Sequence, residues 1–232
     1  MNQNSMLLSI VVPAYNEKRT IGDVINRLKT ALRKTGFANE IIVVDDHSRD
    51  KTVEVALDQQ VRVLSLKQHM GKGYALRAGF SRAKGDIIVT IDSDGSNRPE
   101  ELSALLQPIL QNQADLVIGS RFHGSESTSG KRFNLAGVRI FNSLIHILTR
   151  AVVADSQSGY RAMTRKVLEG LNLKSGTYEI ESEMLVKIAH RGFRIYEVPI
   201  SFEQRTYGVS TLDPLVDGFK ILTSIITSYL KG

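Results

Sequence analysis

The stretch Ile87-Ile88-Val89-Thr90-Ile91-Asp92-Ser93-Asp94 decides the fold class of this chain. Its first five residues are apolar or β-branched and too few for a helix, so they predict a buried strand. That strand delivers the carboxylates of Asp92 and Asp94 into a loop, and ligands of open α/β sheets bind at this end of the strands. An isolated Asp-x-Asp is usually a solvated turn. The strand before it, and a second acidic strand end at Asp45-Asp46, favour a binding site instead.

Apolar runs typical of strands alternate with helical patterns on both sides of this stretch. Predicted strands cover residues 7–13, 40–46, 61–66, 86–92, 114–120 and 194–200. Predicted helices lie at about 21–35, 50–59, 71–84, 99–112, 135–150, 179–190 and 215–230. This alternation predicts an α/β domain with a mostly parallel central sheet flanked by helices and joined by right-handed crossovers.

Composition narrows the class of function. The 232 residues include no cysteine and no tryptophan and carry a net charge of +6. Without cysteine there is no disulfide framework, thiolate metal site or cysteine nucleophile. Five basic residues against one acidic residue between Arg121 and Arg150 indicate an anionic partner, such as a nucleotide or a phospholipid surface. Aromatic residues do not interleave with the basic ones, which argues against nucleic acid.

The sequence shows no sign of export or membrane insertion. The first six residues lack a basic residue, and the apolar segment from Leu7 to Val12 is too short for a signal-peptide core. No run of about 18 apolar residues occurs, which is the usual minimum for a spanning helix. We therefore expect a cytoplasmic protein that does not cross a membrane by itself.

Asp92 and Asp94 have the chemistry of a metal site. Two carboxylates two residues apart repel each other unless a cation lies between them, and oxygen ligands suit Mg²⁺ or Mn²⁺ better than zinc. An ion held in this way would in turn bind phosphate oxygens.

The residues of three further loops could have either a functional or a structural role. Asp45 or Asp46 could bind a nucleotide base or ribose, or could cap the next helix, a role open to Ser48 and Asp50 as well. Tyr15 could stack on a base, and Asn16 could cap the helix that follows. Gly71-Lys72-Gly73 could approach phosphate or form a plain tight turn, and it lacks the spacing of a P-loop.

As a set, these motifs resemble family 2 inverting glycosyltransferases, in the branch of dolichyl-phosphate mannosyltransferase and dolichyl-phosphate glucosyltransferase. The resemblance spans roughly residues 7 to 220 and implies a GT-A, Rossmann-like catalytic domain over 1–211, with a C-terminal amphipathic helix over 212–232. The motifs are Pro13-x-Tyr15-Asn16-Glu17, Val44-Asp45-Asp46-x-Ser48-x-Asp50, Gly71-Lys72-Gly73, Asp92-x-Asp94, Gly119-Ser120-Arg121, Asp155-x-x-Ser158-Gly159-Tyr160-Arg161 and Glu197-Val198-Pro199-Ile200.

The resemblance implies a role for each matching residue. The metal ligands would be Asp92, Asp94 and Ser96. The donor would be bound by Pro13, Tyr15, Glu17, Asp45, Asp46, Lys72 and Ser93. Catalysis at the donor diphosphate and acceptor phosphate would involve Asp94, Arg121, Arg132 and Arg205.

The implied reaction moves a hexose from UDP-glucose or GDP-mannose to a polyprenyl phosphate, with Mg²⁺ or Mn²⁺ as cofactor. An acceptor phosphate can attack without a strong base, whereas the leaving nucleoside diphosphate needs its charge neutralised by metal and arginine. Glu181 and Glu183 stand where relatives with hydroxyl acceptors carry a base, and we expect a structural or acceptor-orienting role for them here. The Gly71-Lys72-Gly73 loop looks more like the glucosyltransferase branch.

Other enzymes are less consistent with the sequence. A hydroxyl acceptor on a glycan or lipid remains an alternative. A nucleotidyltransferase should have a Gly-rich, basic loop after its first strand, where this chain has Pro13-Ala14-Tyr15-Asn16-Glu17. A processive synthase should carry a Gln-x-x-Arg-Trp segment, and a non-catalytic binding module should lack Asp92 or Asp94.

Two helical patterns could bind the chain to a membrane surface. Their apolar residues either pack in the core or lie on a lipid surface, where basic flanking residues would support them. Many relatives continue into membrane helices, whereas this chain ends at Gly232. We therefore expect a peripheral enzyme on the cytoplasmic membrane surface, an enzyme that needs a small membrane subunit, or a truncated chain. The apolar residues are Val138, Phe141, Leu144, Ile145 and Leu148 in one pattern, and Phe219, Leu222, Ile225, Ile226 and Tyr229 in the other.

Overall fold

In the computed structural model of the chain, the described residues are 6–122, 132–203, 207 and 213–231, with residues 132–136 described by their backbone alone. Seven strands form one sheet in the order β3-β2-β1-β4-β6-β5-β7. All neighbouring strands are parallel except β6, which is antiparallel to β4 and β5. The strands are β1 (Leu7–Ala14), β2 (Ala38–Asp45), β3 (Arg62–Ser65), β4 (Ile87–Thr90), β5 (Leu116–Ser120), β6 (Arg161–Thr164) and β7 (Ile195–Pro199).

Helices cover both faces of this sheet and confirm the predicted α/β architecture. One core lies under α1, α2 and α4, and the other lies under α3 and α5–α8. The helices are α1 (Ile21–Thr35), α2 (Thr52–Asp58), α3 (Lys72–Phe80), α4 (Leu102–Leu110), α5 (Arg132–Thr149), α6 (Arg165–Gly170), α7 (Ile180–His190) and α8 (Val216–Lys231), with a 3-10 turn at Pro99–Glu101 before α4.

The predicted elements follow from residue periodicity. Every residue of β4 is buried, as expected for a central parallel strand with helices on both faces. Helix α1 buries Ile21, Val24, Ile25, Leu28 and Leu32, and ends at Gly36, whose φ of 71° is the left-handed conformation that glycine adopts readily. The sequence did not predict β6 or α6.

Strand pairing brings the acidic loops together. Ala14 at the end of β1 pairs with Asp45 at the end of β2, and Val11 of β1 pairs with Thr90 of β4. Strand β6 starts at Arg161 opposite Thr90, which brings the segment before it over the end of β4. The carboxyl edge of the sheet therefore collects the loops after β1, β2 and β4 and the segment before β6.

The two amphipathic helices contribute mainly to the core. On α5, the predicted stripe is packed inward, with Val138, Phe141 and Ile145 buried. On α8, Ile225 is buried, and this face packs against α7 and α5. The α5 stripe named from the sequence is therefore largely a core surface, since the sheet face needs covering, whereas Phe219 and Ile226 of the α8 stripe are exposed. Among the described residues, no helix combines the length and the apolarity needed to cross a membrane.

Candidate active site

A buried charge cluster lies at the carboxyl end of β4. Asp92 Oδ1 is 2.6 Å from Lys72 Nζ, and the same nitrogen is 2.8 Å from Glu181 Oε1. Lys72 begins α3 and Glu181 lies in the first turn of α7, so three elements meet here. Burial alone would lower the pKa of Lys72, but the two carboxylates outweigh it and raise that pKa above its usual value. The lysine is therefore a cation at neutral pH.

The backbone of Gly159 closes over this cluster. A Cβ atom at this position would lie 2.5 Å from Asp92 Oδ2 and 2.8 Å from Lys72 Nζ, closer than atoms can pack. The carbonyl of Gly159 also accepts a 2.8 Å hydrogen bond from the hydroxyl of Thr90. A side chain at this position would therefore displace Asp92 or Lys72 from their contact.

The loop after Asp92 forms a turn around Asp94. Asp94 Oδ1 accepts hydrogen bonds from the backbone N–H and the hydroxyl of Ser96, at 3.0 and 2.6 Å. The hydroxyl of Ser93 donates to the carbonyl of Pro13 at 2.8 Å, which ties the loop to the end of β1. Ser93 and Ser96 are buried, whereas Asp92 and Asp94 are half-buried and reach the surface. Ser96 therefore orients the carboxylate of Asp94, and Ser93 fixes the loop that carries both aspartates.

The carboxylates fit a divalent ion that is shared with a substrate. The described residues contain no cluster of three or more His, Cys, Asp or Glu side chains able to hold a metal. The oxygen atoms of Asp92 and Asp94 suit Mg²⁺ or Mn²⁺ but fill only part of an octahedral shell, and diphosphate oxygens and water commonly fill the rest. The two residues would hold such an ion together with a phosphate-bearing ligand.

Asp46 organises the loop that leads to Lys72. Its buried carboxylate accepts backbone hydrogen bonds from Met70 at 2.8 Å and Gly71 at 2.7 Å, and it contacts His69 Nδ1 at 2.8 Å. The ring of His69 stacks on Tyr15, with 4.0 Å between the ring centroids. Asp46 therefore connects β2 to α3, and its contact with a nucleotide stays a prediction.

Asp45 and Asp50 take the local roles that the sequence left open. Asp45 accepts a hydrogen bond from the backbone N–H of Ser48 at 3.2 Å, which forms a turn after β2. Asp50 accepts from the backbone N–H of Thr52 at 3.0 Å, at the start of α2. Any binding of a ribose or base by Asp45 stays a prediction.

The residues after β1 are tied to the loop after β2. Asn16 Oδ1 accepts a hydrogen bond from the backbone N–H of Arg49 at 2.8 Å. Asn16 was a candidate cap of α1, but the N-cap position is Thr20. A carboxylate oxygen of Glu17 accepts from the hydroxyl of Thr20 at 2.8 Å. The first two strand ends are thereby held at one site.

The Gly71-Lys72-Gly73 loop is a close-packing element that also carries a cation. Gly71 has a φ of 102°, and a Cβ on Gly73 would lie 2.5 Å from the carbonyl oxygen of Ser175. The backbone N–H of Tyr74 donates to the carbonyl of Gly176 at 3.2 Å. The glycines therefore allow α3 to begin against the 175–176 backbone, which directs Lys72 at Asp92.

A second arm of the site carries Arg121. Its Nε and one terminal nitrogen donate to the two oxygens of Asp155, at 2.6 and 2.7 Å, in a bidentate pair. Burial would lower the pKa of Arg121, but the carboxylate of Asp155 outweighs it and raises that pKa. Asp155 is fully buried, whereas the side chain of Arg121 is 25% exposed. The guanidinium also lies over the rings of Phe122 and Phe202.

Glu197 holds this arm in place, a role that sequence reasoning missed. Its two carboxylate oxygens accept the backbone N–H groups of Ala154 and Asp155, at 2.7 and 2.9 Å. Glu197 thus positions Asp155, and Asp155 positions Arg121. The only sequence signal was the Glu197-Val198-Pro199-Ile200 motif, which indicates no partner.

The remaining predicted residues divide into structural and undescribed ones. Glu183 accepts the backbone N–H groups of Lys174 and Ser175 and pairs with Lys187 at 2.6 Å. Burial would raise the pKa of Glu183, but these partners outweigh it and lower that pKa, and their hydrogen bonds make Glu183 a support of the loop before α7. The side chain of Arg132 and all of Arg205 lie outside the described residues.

The chain is similar in sequence to known glycosyltransferases. The model of glycosyl transferase family 2 matches residues 9–171. A dolichol-phosphate mannosyltransferase of Pyrococcus furiosus is 32% identical over 89% of this chain, which spans 59% of that protein's length. A UDP-N-acetylglucosamine–dolichyl-phosphate N-acetylglucosaminyltransferase of Methanococcus voltae is 29% identical and covers 95% of each chain.

The structural comparison confirms the GT-A fold. Glucosyl-3-phosphoglycerate synthase of Mycobacterium tuberculosis, crystallised with Mn²⁺, UDP and glucosyl-3-phosphoglycerate, superposes with a TM-score of 0.72 at 26% identity, over 96% of this chain and 80% of that one. The same enzyme has been crystallised with Mg²⁺ and UDP.

Proposed function

The chain belongs to glycosyl transferase family 2 and is a glycosyltransferase, and from this premise we propose that it is a metal-dependent, inverting hexosyltransferase that acts on a polyprenyl phosphate. The donor in this proposal is a nucleotide-diphosphate sugar, either UDP-glucose or GDP-mannose. The stacked pair of Tyr15 and His69, beside the carboxyl edge of the sheet, supports a site for the nucleoside.

The proposal of a phosphate acceptor rests on the burial of Glu181 and on its ion pair with Lys72. A hydroxyl acceptor needs a base to remove its proton, and Glu181 stands where the resemblance places that base. Its side chain is 3% exposed and lies 2.8 Å from the ammonium of Lys72. Taking up a proton would break this ion pair. A phosphate acceptor is already anionic at pH 7 and needs no base.

The side chains divide the work of transfer. Asp92 and Asp94 would hold Mg²⁺ or Mn²⁺, which when bound neutralises charge on the leaving diphosphate. Arg121, fixed by Asp155, would bind the acceptor phosphate, because a guanidinium can donate two hydrogen bonds to phosphate oxygens. Arg132 and Arg205 share this proposed role. Ser93, Ser96 and Asp46 hold the loops that aim these groups.

The proposed function is tested by a transfer assay on the purified chain. UDP-glucose, GDP-mannose and UDP-N-acetylglucosamine are each incubated with Mg²⁺ or Mn²⁺ and a polyprenyl phosphate. We expect a glycosyl polyprenyl phosphate whose anomeric configuration, read by NMR, is opposite to that of the donor. In parallel reactions 3-phosphoglycerate replaces the lipid, because a structural neighbour was crystallised with its glucosylated form. Transfer to 3-phosphoglycerate alone would contradict the polyprenyl phosphate acceptor.

A lipid acceptor places the enzyme at a membrane surface, and part of the chain suits one. Outside the core, α8 exposes Phe219 and Leu230, with side chains 70% and 75% accessible, and α5 exposes Ile140 and Ile147. Basic residues lie near them, including Arg139 on α5. Exposed apolar side chains with basic neighbours are typical of helices that lie on anionic lipid. These exposed residues, of which Phe219 belongs to the apolar pattern named from the sequence, form the proposed lipid-contacting surface.

We expect the chain to float with anionic phosphatidylglycerol vesicles at low salt and to be released as salt rises. Replacing Phe219 and Leu230 together by serine should reduce the floated fraction several-fold, because both lose apolar area that lipid would bury. Leu57→Ser is the matched control, because Leu57 is an exposed leucine on α2, away from α5 and α8. Equal loss in the control, or no flotation of the unmodified chain, would contradict this surface.

A further inference from the structure

Lys72 forms an ion pair with Asp92, one of the two carboxylates that are predicted to bind the metal. Its ammonium is 2.6 Å from Asp92 Oδ1, a distance at which a divalent ion on the same oxygen would be repelled strongly. The side chain of Lys72 is 17% exposed, and the backbone of Gly159 covers it. The lysine is therefore built into the site.

Glu181 explains why the ammonium stays. The buried carboxylate of Glu181 meets the ammonium of Lys72, with 2.8 Å between Oε1 and Nζ. A buried carboxylate without a compensating charge is strongly unfavourable. The ammonium of Lys72 thus lies between two anions, and a further cation at Asp92 would need further negative charge.

We propose that Lys72 is an internal counter-ion that competes with the divalent ion for Asp92. A divalent ion that binds without a nucleotide must displace the ammonium of Lys72 from Asp92, and the loss of that ion pair opposes binding. A nucleoside diphosphate that arrives with the ion supplies negative charge for both cations. Metal and donor diphosphate therefore bind cooperatively, and the metal alone binds weakly. This inference rests on the proposed metal and donor site.

The test measures Mn²⁺ affinity on the full chain by electron paramagnetic resonance, with and without UDP. Lys72→Met removes the charge and keeps the length of the side chain. We expect Mn²⁺ without UDP to bind roughly ten-fold or more tightly than in the unmodified chain, the effect of one lost charged contact. The factor by which UDP tightens Mn²⁺ binding should fall correspondingly, because linkage makes this factor a measure of the coupling.

A second variant guards against misfolding. Lys72→Met leaves the buried Glu181 without its ion-pair partner, so Lys72→Met with Glu181→Gln removes both charges and preserves the net charge of the cluster. A gain in Mn²⁺ affinity in this double variant reports lost competition and not a more negative site. Lys174→Met is the matched control, since Lys174 is an exposed lysine on the loop that packs against Gly71-Lys72-Gly73.

The outcomes separate this inference from the proposed function. If Asp92→Asn leaves Mn²⁺ binding in the presence of UDP unchanged, the proposed metal site is wrong. If Asp92→Asn weakens that binding while neither Lys72 variant tightens Mn²⁺ binding without UDP, the metal site stands and the competition is overturned. An equal gain in Lys174→Met would assign the effect to long-range charge and would also overturn it.

Discussion

Asp94→Ala is expected to reduce transfer on the order of 10³-fold, because it removes one of two carboxylates proposed to hold the ion that neutralises the leaving diphosphate. The fold should survive, since Asp94 is half-buried at a strand end. Asp94→Asn sharpens the test. An amide oxygen can still accept the hydrogen bonds from Ser96, so this variant removes the charge and preserves the turn. We expect it to be nearly as inactive, with an unchanged circular dichroism spectrum and melting temperature.

The control for Asp94 lies at the other end of the same strand. Asp86 precedes β4 and accepts a 2.9 Å hydrogen bond from the backbone N–H of Leu7, which an asparagine can also accept. Asp86→Asn should therefore transfer like the unmodified chain. EDTA should stop transfer by the unmodified chain, and added Mn²⁺ or Mg²⁺ should restore it. Full activity of Asp94→Asn, or activity unaffected by EDTA, would rule out the metal assignment.

The sequence predicted the parallel part of the sheet well, because those strands are encoded locally. Residues 87–90 are β-branched and apolar and lie between turn residues, which is enough to identify β4. Strand β6 is Arg-Ala-Met-Thr, four residues with neither an apolar run nor a clear alternation. Its position between β4 and β5 depends on pairing with residues far away in the chain. No local pattern could therefore reveal it.

The same distinction between local and distant information applies to the site. The spacing of Asp92 and Asp94 is local, so the predicted pair was visible in the sequence. The contact of Lys72 with Glu181 joins residues 109 positions apart and arises only when α3 and α7 meet at β4. The support of Asp155 by Glu197 is likewise set by distant pairing. For Asp46 the local motif predicted a ligand contact, which stays a prediction, and could not reveal the hydrogen bonds from Met70 and Gly71, since these come from a loop more than twenty residues away.

Loss of Arg161 should destabilise the fold strongly. It is fully buried, and its guanidinium donates to the backbone carbonyls of Ser158 at 2.8 Å, Glu181 at 2.8 Å and Ser156 at 2.7 Å. These bonds tie the segment before β6 to the first turn of α7. The segment before β6 and the first turn of α7 both form part of the charge cluster, since Gly159 covers Asp92 and Glu181 pairs with Lys72.

Arg161→Met keeps the length of the side chain but leaves three buried carbonyls without this donor. An unsatisfied buried acceptor costs about 1–3 kcal/mol, so we expect the free energy of unfolding to fall by about 3–5 kcal/mol, allowing for partial relaxation. This is a large part of the 5–15 kcal/mol that is typical of a folded protein. Urea unfolding followed by circular dichroism measures it, and a lower midpoint with an unchanged slope would assign the loss to the native state.

Two further variants decide whether this effect comes from Arg161's geometry. Arg161→Lys keeps the charge, but one ammonium cannot reproduce the planar fork that reaches three carbonyls, so much of the loss should remain. Arg194→Met removes an exposed arginine that bonds to Asp115 at the surface, and its effect should be far smaller because solvent screens such pairs. If Arg161→Met were no less stable than Arg194→Met, the carbonyls must find other donors. The segment before β6 would then be held by the sheet and not by its arginine.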